Sequence, residues 1–139
     1  MINKSYTAYL TKEDSLHISC CDYLDLKYPN ILYFHPLNES KRSYYERWYA
    51  KKMRMMPGVS DLIILEPRHG FNGLIIEFKI KPNKLTIHQN DFLIKCTKNN
   101  YKIAVIHEID EFIKFITNYL KNGDYVNEHV NFNSIICKK

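Results

Sequence analysis

Leu16, Cys20, Tyr23 and Leu24 recur at helical spacing, and the pattern predicts a first helix over residues 12–27. Thr11 followed three residues on by Asp14 is its start signal, a capping box with the carboxylate one carbon short. Pro29 and Asn30 break the chain, and residues 31–34 read as a short strand. Asn38 to Ser40 offers caps for a second helix over residues 41–55, which Pro57-Gly58 would end. Two runs rich in Ile and Leu follow, DLIIL at 61–65 and LIIEFKI at 74–80. Pro67, Gly70 and Gly73 punctuate the segment between them, so the pair reads as a hairpin. Apolar residues fall on both faces of these runs, which predicts central strands covered on both sides. Thr86 with Gln89 makes a further capping box for a helix reaching about residue 98, and YKIAVIH at 101–107 is a fourth strand. Ile109, Phe112, Ile113, Ile116 and Leu120 form the apolar stripe of a last helix, with Asn122-Gly123 as its cap. Residues 124–139 hold either an edge strand at 134–137 or a dimer contact.

The order α-β-α-β-β-α-β-α predicts an α/β fold, a mixed central sheet flanked by helices. At 139 residues the chain makes one domain, 1–139, with its core at about 11–121. Apolar residues at 45% supply a core and exclude wholesale disorder. No apolar run approaches the roughly 18–20 residues that cross a bilayer, and the start, MINKSYTAYL, lacks a signal-peptide core. The expectation is a soluble intracellular protein, cytoplasmic or encoded by a virus or phage and made in its host, with no membrane partner.

Charge changes this picture only slightly. A net charge of +5 permits a polyanionic partner without demanding one. Cys20, Cys21, Cys96 and Cys137 form no C-x-x-C pair, so they read as reduced core thiols rather than zinc ligands. His17, His35, His69, His88, His107 and His129 show no ligand spacing and are assigned no metal role. No glycine-rich phosphate loop is present, so no nucleotide cofactor is expected.

Two charges interrupt an otherwise apolar strand. Glu77 and Lys79 share one face of LIIEFKI. A buried carboxylate is costly unless it is paired or holds a cation. With the hairpin turn centred near residue 70, Asp61 falls across from Lys79 and diagonal to Glu77. Two carboxylates and an ammonium then converge at one strand end, and the hard carboxylate oxygens suit Mg²⁺ or Mn²⁺. The plainer alternative is a surface Glu–Lys ion pair with Asp61 in a turn. Gln89 shares the apolar arc of its helix with Phe92, Leu93 and Cys96, where an amide needs polar partners, and it also completes a capping box. Glu13 lies on the face of Leu16 and Cys20, either as a site residue or as a first-turn acid near the positive end of the helix dipole. In the second helix Arg47, Lys51 and Arg54 align at i, i+4 and i+7, a stripe that can neutralise phosphates. Tyr45, Trp48, Tyr49, Met53 and Met56 occupy the rest; exposed aromatics there can stack on bases, but inward packing of Trp48 is the expectation.

Taken together, Pro57-Gly58-Val59-Ser60-Asp61, then Ile76-Glu77-Phe78-Lys79, then Gln89 resemble the VRR-NUC domain. This is the virus-type replication-repair branch of the PD-(D/E)XK nucleases, with a restriction-endonuclease-like fold. The resemblance spans roughly residues 13–120 and includes a Glu in the first helix, here Glu13. It implies that Asp61, Glu77 and the Phe78 backbone carbonyl hold a divalent metal, Mg²⁺ or Mn²⁺. Lys79 would position the attacking water, Glu13 would bind the metal or its water, and Gln89 would support the site or a phosphate. The long aromatic and basic second helix is a departure whose role does not carry over. The implied activity is a metal-dependent DNA endonuclease hydrolysing phosphodiesters, selective for branched DNA such as four-way junctions and acting as a homodimer. The alternatives are a non-catalytic nucleic-acid-binding domain on a nuclease fold and a small interaction protein whose basic helix docks an acidic partner.

Overall fold

The computed structural model describes residues 6–37 and 42–122. Its helices are α1 (Lys12–Lys27), α2 (Tyr44–Lys52), α3 (Ile87–Lys98) and α4 (Ile109–Leu120). Its strands are β1 (Tyr33–Phe34), β2 (Leu62–Ile64), β3 (Leu74–Phe78) and β4 (Lys102–Ile106). The expected order holds across the described residues, and the expected contribution of residues 124–139 lies outside them.

The sheet runs β1-β2-β3-β4. β1, β2 and β3 pair antiparallel, and β4 joins β3 in parallel. The sheet is therefore mixed, and every residue of β3 and β4 is buried. Alternation along β3 divides the core in two. Leu74, Ile76 and Phe78 face one way, into a cluster with Leu16, Cys20 and Leu24 of α1 and Phe112 and Ile116 of α4. Ile75 faces the other way and packs with Leu93 of α3, Ile103 and Val105. At about 1.5–3 kcal/mol per buried large apolar side chain, these two clusters hold the helices on opposite sides of β3.

α1 and α3 begin where their capping boxes place them. Thr11 accepts from Asp14 N while Thr11 N donates back to the Asp14 carboxylate. Thr86 and Gln89 make the same exchange. The buried stripe of α4 is rotated from the expected one. Phe115 and Tyr119 join it, while Ile113 is only half-buried. The buried set follows i, i+3, i+4, i+7 and i+8 from Phe112, the wider stripe of a helix pressed against a sheet.

Three expectations change. α2 starts after Ser43, whose hydroxyl accepts from Glu46 N while Glu46 caps Ser43 N. Of the expected caps, residues 38–40 lie outside the described residues. α2 also ends earlier, with Met53 as C-cap and Arg54 in the left-handed region at φ 62°. Arg54 Nη1 donates to the carbonyl oxygens of Lys51 and Lys52, occupying acceptors that the helix end leaves without partners. At the far end of the chain, α4 stops at Leu120 with Lys121 as C-cap, and Gly123 lies outside the described residues.

The third change is the hairpin register. Leu62 pairs with Ile76 and Ile64 with Leu74, so the ladder centres one residue earlier than expected. Continued by one step, it puts Asp61 opposite Glu77, not Lys79. Side chains alternate with period two, so a two-residue shift along the partner leaves Asp61 on the same face.

Candidate active site

Glu77 is the centre of the site. It is 1% exposed, on the α3 side of the sheet near the C-terminal end of β3. Its Oε1 accepts from Gln89 Nε2 at 2.5 Å and lies 3.4 Å from Lys79 Nζ. Its Oε2 is buried and makes no hydrogen bond of good geometry; the buried Ser60 hydroxyl, which makes none either, is close enough to lower the carboxyl's pKa slightly. Burial, and secondarily the Asp61 carboxylate, push the Glu77 carboxyl up to about 8, with Lys79 pulling the other way.

Asp61 comes from the start of β2. Its Oδ2 accepts from Phe78 N at 2.8 Å, which ties it to the backbone just beyond Glu77. Its backbone oxygen accepts from His35 Nδ1 at 2.5 Å. A carbonyl oxygen can only accept, so the His35 proton sits on Nδ1.

Glu13 crosses from α1, on the opposite face of the sheet. Its Oε1 accepts from Ile80 N at 3.2 Å, and its Oε2 lies 4.0 Å from Lys79 Nζ. Lys79 is 12% exposed and stands between the two glutamates. Both readings of Glu13 fit its position: it stands in the first turn of α1, and its carboxylate reaches Ile80 N and Lys79. Gln89 satisfies both of its readings, because Oε1 caps Thr86 N while Nε2 holds Glu77.

A glycine sets the distance between the β2 approach and α3. Gly58 has φ 74°, which disfavours any residue with a side chain. A Cβ placed there would lie 2.6 Å from Gln89 N and against the His88 carbonyl. The chain thus lies directly on the first turn of α3, the turn that aims Gln89.

Glu13, Asp61, Glu77, Lys79 and Gln89 line an open cleft of about 500 Å³, room for a nucleotide-sized group, together with His17 of α1, His35 and Leu37. The two histidines, assigned no role from sequence, meet edge to face with ring centroids 4.8 Å apart. Burial, then His35, holds the His17 imidazole below the ordinary histidine range. No local spacing in the sequence signals this pair, because α1 and the residue after β1 meet only in the tertiary structure.

Among the described residues, no three His, Cys, Asp or Glu side chains converge as a metal cluster. Two carboxylates with a main-chain carbonyl and water fit instead the sparse oxygen coordination of Mg²⁺ or Mn²⁺. The orphaned Glu77 Oε2 is the donor such an ion would satisfy.

The basic stripe is not assembled as expected. Arg47 and Lys51 lie on α2, but Arg54 lies beyond it and bonds its own helix end. Trp48 does not pack inward: it is 56% exposed, and Ala50 is the buried residue of α2.

The fold is a small α/β domain with an acidic cluster at the end of a central strand. The VRR-NUC domain model matches residues 9–108, and the chain belongs to that nuclease family. The matched span contains Glu13, Asp61, Glu77, Lys79 and Gln89. A solved structure described as a VRR_NUC domain protein shares the fold, with a TM-score of 0.67 and 24% identity over 84% of this chain and 94% of its own. No curated protein matches the sequence. No helix of the described residues is long and apolar enough to cross a membrane.

Proposed function

We propose that this chain is a divalent-metal-dependent DNA endonuclease that hydrolyses phosphodiester bonds. The observation that carries the reading is Glu77: a buried carboxylate with one unpartnered oxygen, set beside Asp61 and Lys79 in an open cleft. A buried carboxylate oxygen without a well-formed hydrogen bond calls for a further partner, and beside the second carboxylate of Asp61 a divalent cation supplies one.

Asp61, Glu77 and the Phe78 carbonyl would hold Mg²⁺ or Mn²⁺. When bound, the ion stabilises charge on the phosphate and makes a water easier to deprotonate. Lys79, held between Glu77 and Glu13, orients the attacking water and offsets negative charge on the phosphodiester. Gln89 fixes the Glu77 rotamer, so that Oε2 stays aimed away from α3's amide. Glu13 braces the chain at Ile80 and holds the lysine from the other side of the sheet. Arg47 and Lys51 would contact phosphates outside the cleft.

The substrate range in this reading includes branched DNA. Resolving a four-way junction by two symmetric cuts takes two active sites, so the reading includes a homodimer on that substrate. The test is a cleavage panel of linear, flap and junction DNAs with Mg²⁺, Mn²⁺ or EDTA, with the oligomeric state measured alongside. Metal-dependent nicking that EDTA stops is expected. DNA binding without any cleavage in either metal would overturn the enzyme reading.

A further inference from the structure

α2 presents a row of aromatic side chains to solvent. Tyr44 is 88% exposed, Tyr45 68% and Tyr49 46%, flanking the half-exposed Trp48. Their faces are ordered. Tyr45 lies near-parallel to Trp48, at 5.9 Å and 29°, and to Tyr49, at 6.2 Å and 28°. These are i, i+3 and i, i+4 neighbours, so the helix itself holds the rings in register. Cations are interleaved with them: the Arg47 guanidinium sits 4.5 Å from the Tyr44 ring centre and Lys52 Nζ 6.0 Å from that of Trp48.

A row of exposed aromatic side chains on a small domain calls for an occupant. Between residues 44 and 54, Arg47, Lys51, Lys52 and Arg54 outnumber the one carboxylate, Glu46. A second copy of the helix would set these cations against each other. A polyanion with π-faces complements both halves of the pattern: its phosphates meet the cations and its bases meet the rings. Duplex DNA offers the phosphates alone, because its bases are already stacked on each other. The place in the chain agrees. Leu37 and Val59, which bracket α2 in sequence, both line the catalytic cleft. At about 3.5 Å per residue, Ser43 lies within about 20 Å of Leu37.

We infer that α2 is a stacking platform for unpaired bases, and that the preferred substrate is DNA carrying single-stranded nucleotides beside the scissile bond. This deepens the nuclease reading above and rests on it for the identity of the polyanion.

Trp48 is the single tryptophan of the chain, so its fluorescence reports on this surface alone. The experiment titrates the full-length protein in EDTA with short oligo-dT, with a blunt duplex of matched phosphate number, and with inorganic polyphosphate. Oligo-dT is expected to quench Trp48 emission, and the other two are not. Tyr45→Ala and Tyr49→Ala, both at exposed positions and both retaining Trp48, should each weaken oligo-dT binding about tenfold. Circular dichroism on the variants confirms that they are folded.

Three results would overturn the inference: no quenching by oligo-dT, equal quenching by the duplex or by polyphosphate, or a concentration-dependent change in Trp48 emission without DNA. The last would assign the surface to a second copy of the chain. Nicking of duplex DNA with Mg²⁺ is measured in parallel. Nicking without quenching sinks the stacking platform alone. Quenching without cleavage of any DNA sinks the nuclease reading and leaves the platform standing.

Discussion

Gln89 reaches Glu77 across the α3 face of the sheet, Nε2 to Oε1 at 2.5 Å, while its Oε1 caps its own helix at Thr86. One side chain therefore couples the start of α3 to the orientation of the buried carboxylate. Gln89→Ala should lower kcat strongly and cost about 1 kcal/mol of stability from the lost cap. Gln89→Glu should keep the cap yet set a second carboxylate against Glu77. Melting temperature and single-turnover cleavage separate the two losses. If Gln89→Glu cleaves like the wild type, the amide does not position Glu77.

Asp61→Asn and Glu77→Gln should each abolish cleavage while keeping or tightening DNA binding, because each removes a metal ligand and also a repulsion of phosphate. A second readout avoids activity altogether. Mg²⁺ at a hundred times its Kd should stabilise the wild type by about 2.7 kcal/mol. Thermal melts of both variants should show little of that gain, and full Mg²⁺ protection in either would remove that carboxylate from the site.

The metal-free protein should lose stability as pH rises. Unfolded, Glu77 titrates near 4.5; folded, burial and Asp61 push it up to about 8. Below about 4.5 both states hold the proton and no penalty applies. Between the two values the unfolded chain releases the proton and the folded one keeps it, so stability falls with rising pH and levels off above about 8. Glu77→Gln should flatten this slope in EDTA and be the more stable protein at pH 8. Denaturant midpoints across the range test it; a slope unchanged in Glu77→Gln would place the titration elsewhere.

Gly58→Ala should destabilise the fold by about 1–3 kcal/mol, since the new Cβ meets backbone atoms rather than a movable side chain. Cleavage should fall further than the melt accounts for at temperatures where the variant is folded, because α3's first turn carries Gln89. Unaltered kinetics in the folded variant would show that the close approach serves packing only.

Replacing Arg47 and Lys51 with Ala should reduce the slope of log K against log salt on duplex DNA by about 0.9 per lost phosphate contact. Arg54→Ala should act instead on helix stability, because its guanidinium bonds the carbonyls of Lys51 and Lys52. Equal changes in salt slope for all three would return Arg54 to the DNA-binding face.

Much of the fold was legible in local chemistry. The boundaries of α1 and α3 follow from Thr11 with Asp14 and Thr86 with Gln89, because a capping box satisfies donors within three residues. The same signal, Ser43 with Glu46, stands at the true start of α2 and outranks Asn38 and Ser40 as a cap. Asp61, Glu77 and Lys79 were recognisable as a group because strand parity survives a shift of register by two. The exposure of Trp48 was not legible, since periodicity shows that a helix has two faces and not which of them docks. Nor was the meeting of His17 with His35, which depends on how α1 crosses the sheet.

Glu13 and Gln89 reach Lys79 and Glu77 from opposite sides of the sheet, one on α1 and one on α3. The β2–β3 hairpin alone carries the acidic pair but neither brace. On the proposed nuclease reading, catalytic competence is therefore gated by the completion of folding: both helical layers must dock before Lys79 and Glu77 are held. A partly folded chain, even one whose hairpin has formed, would carry the residues of a nuclease without being one.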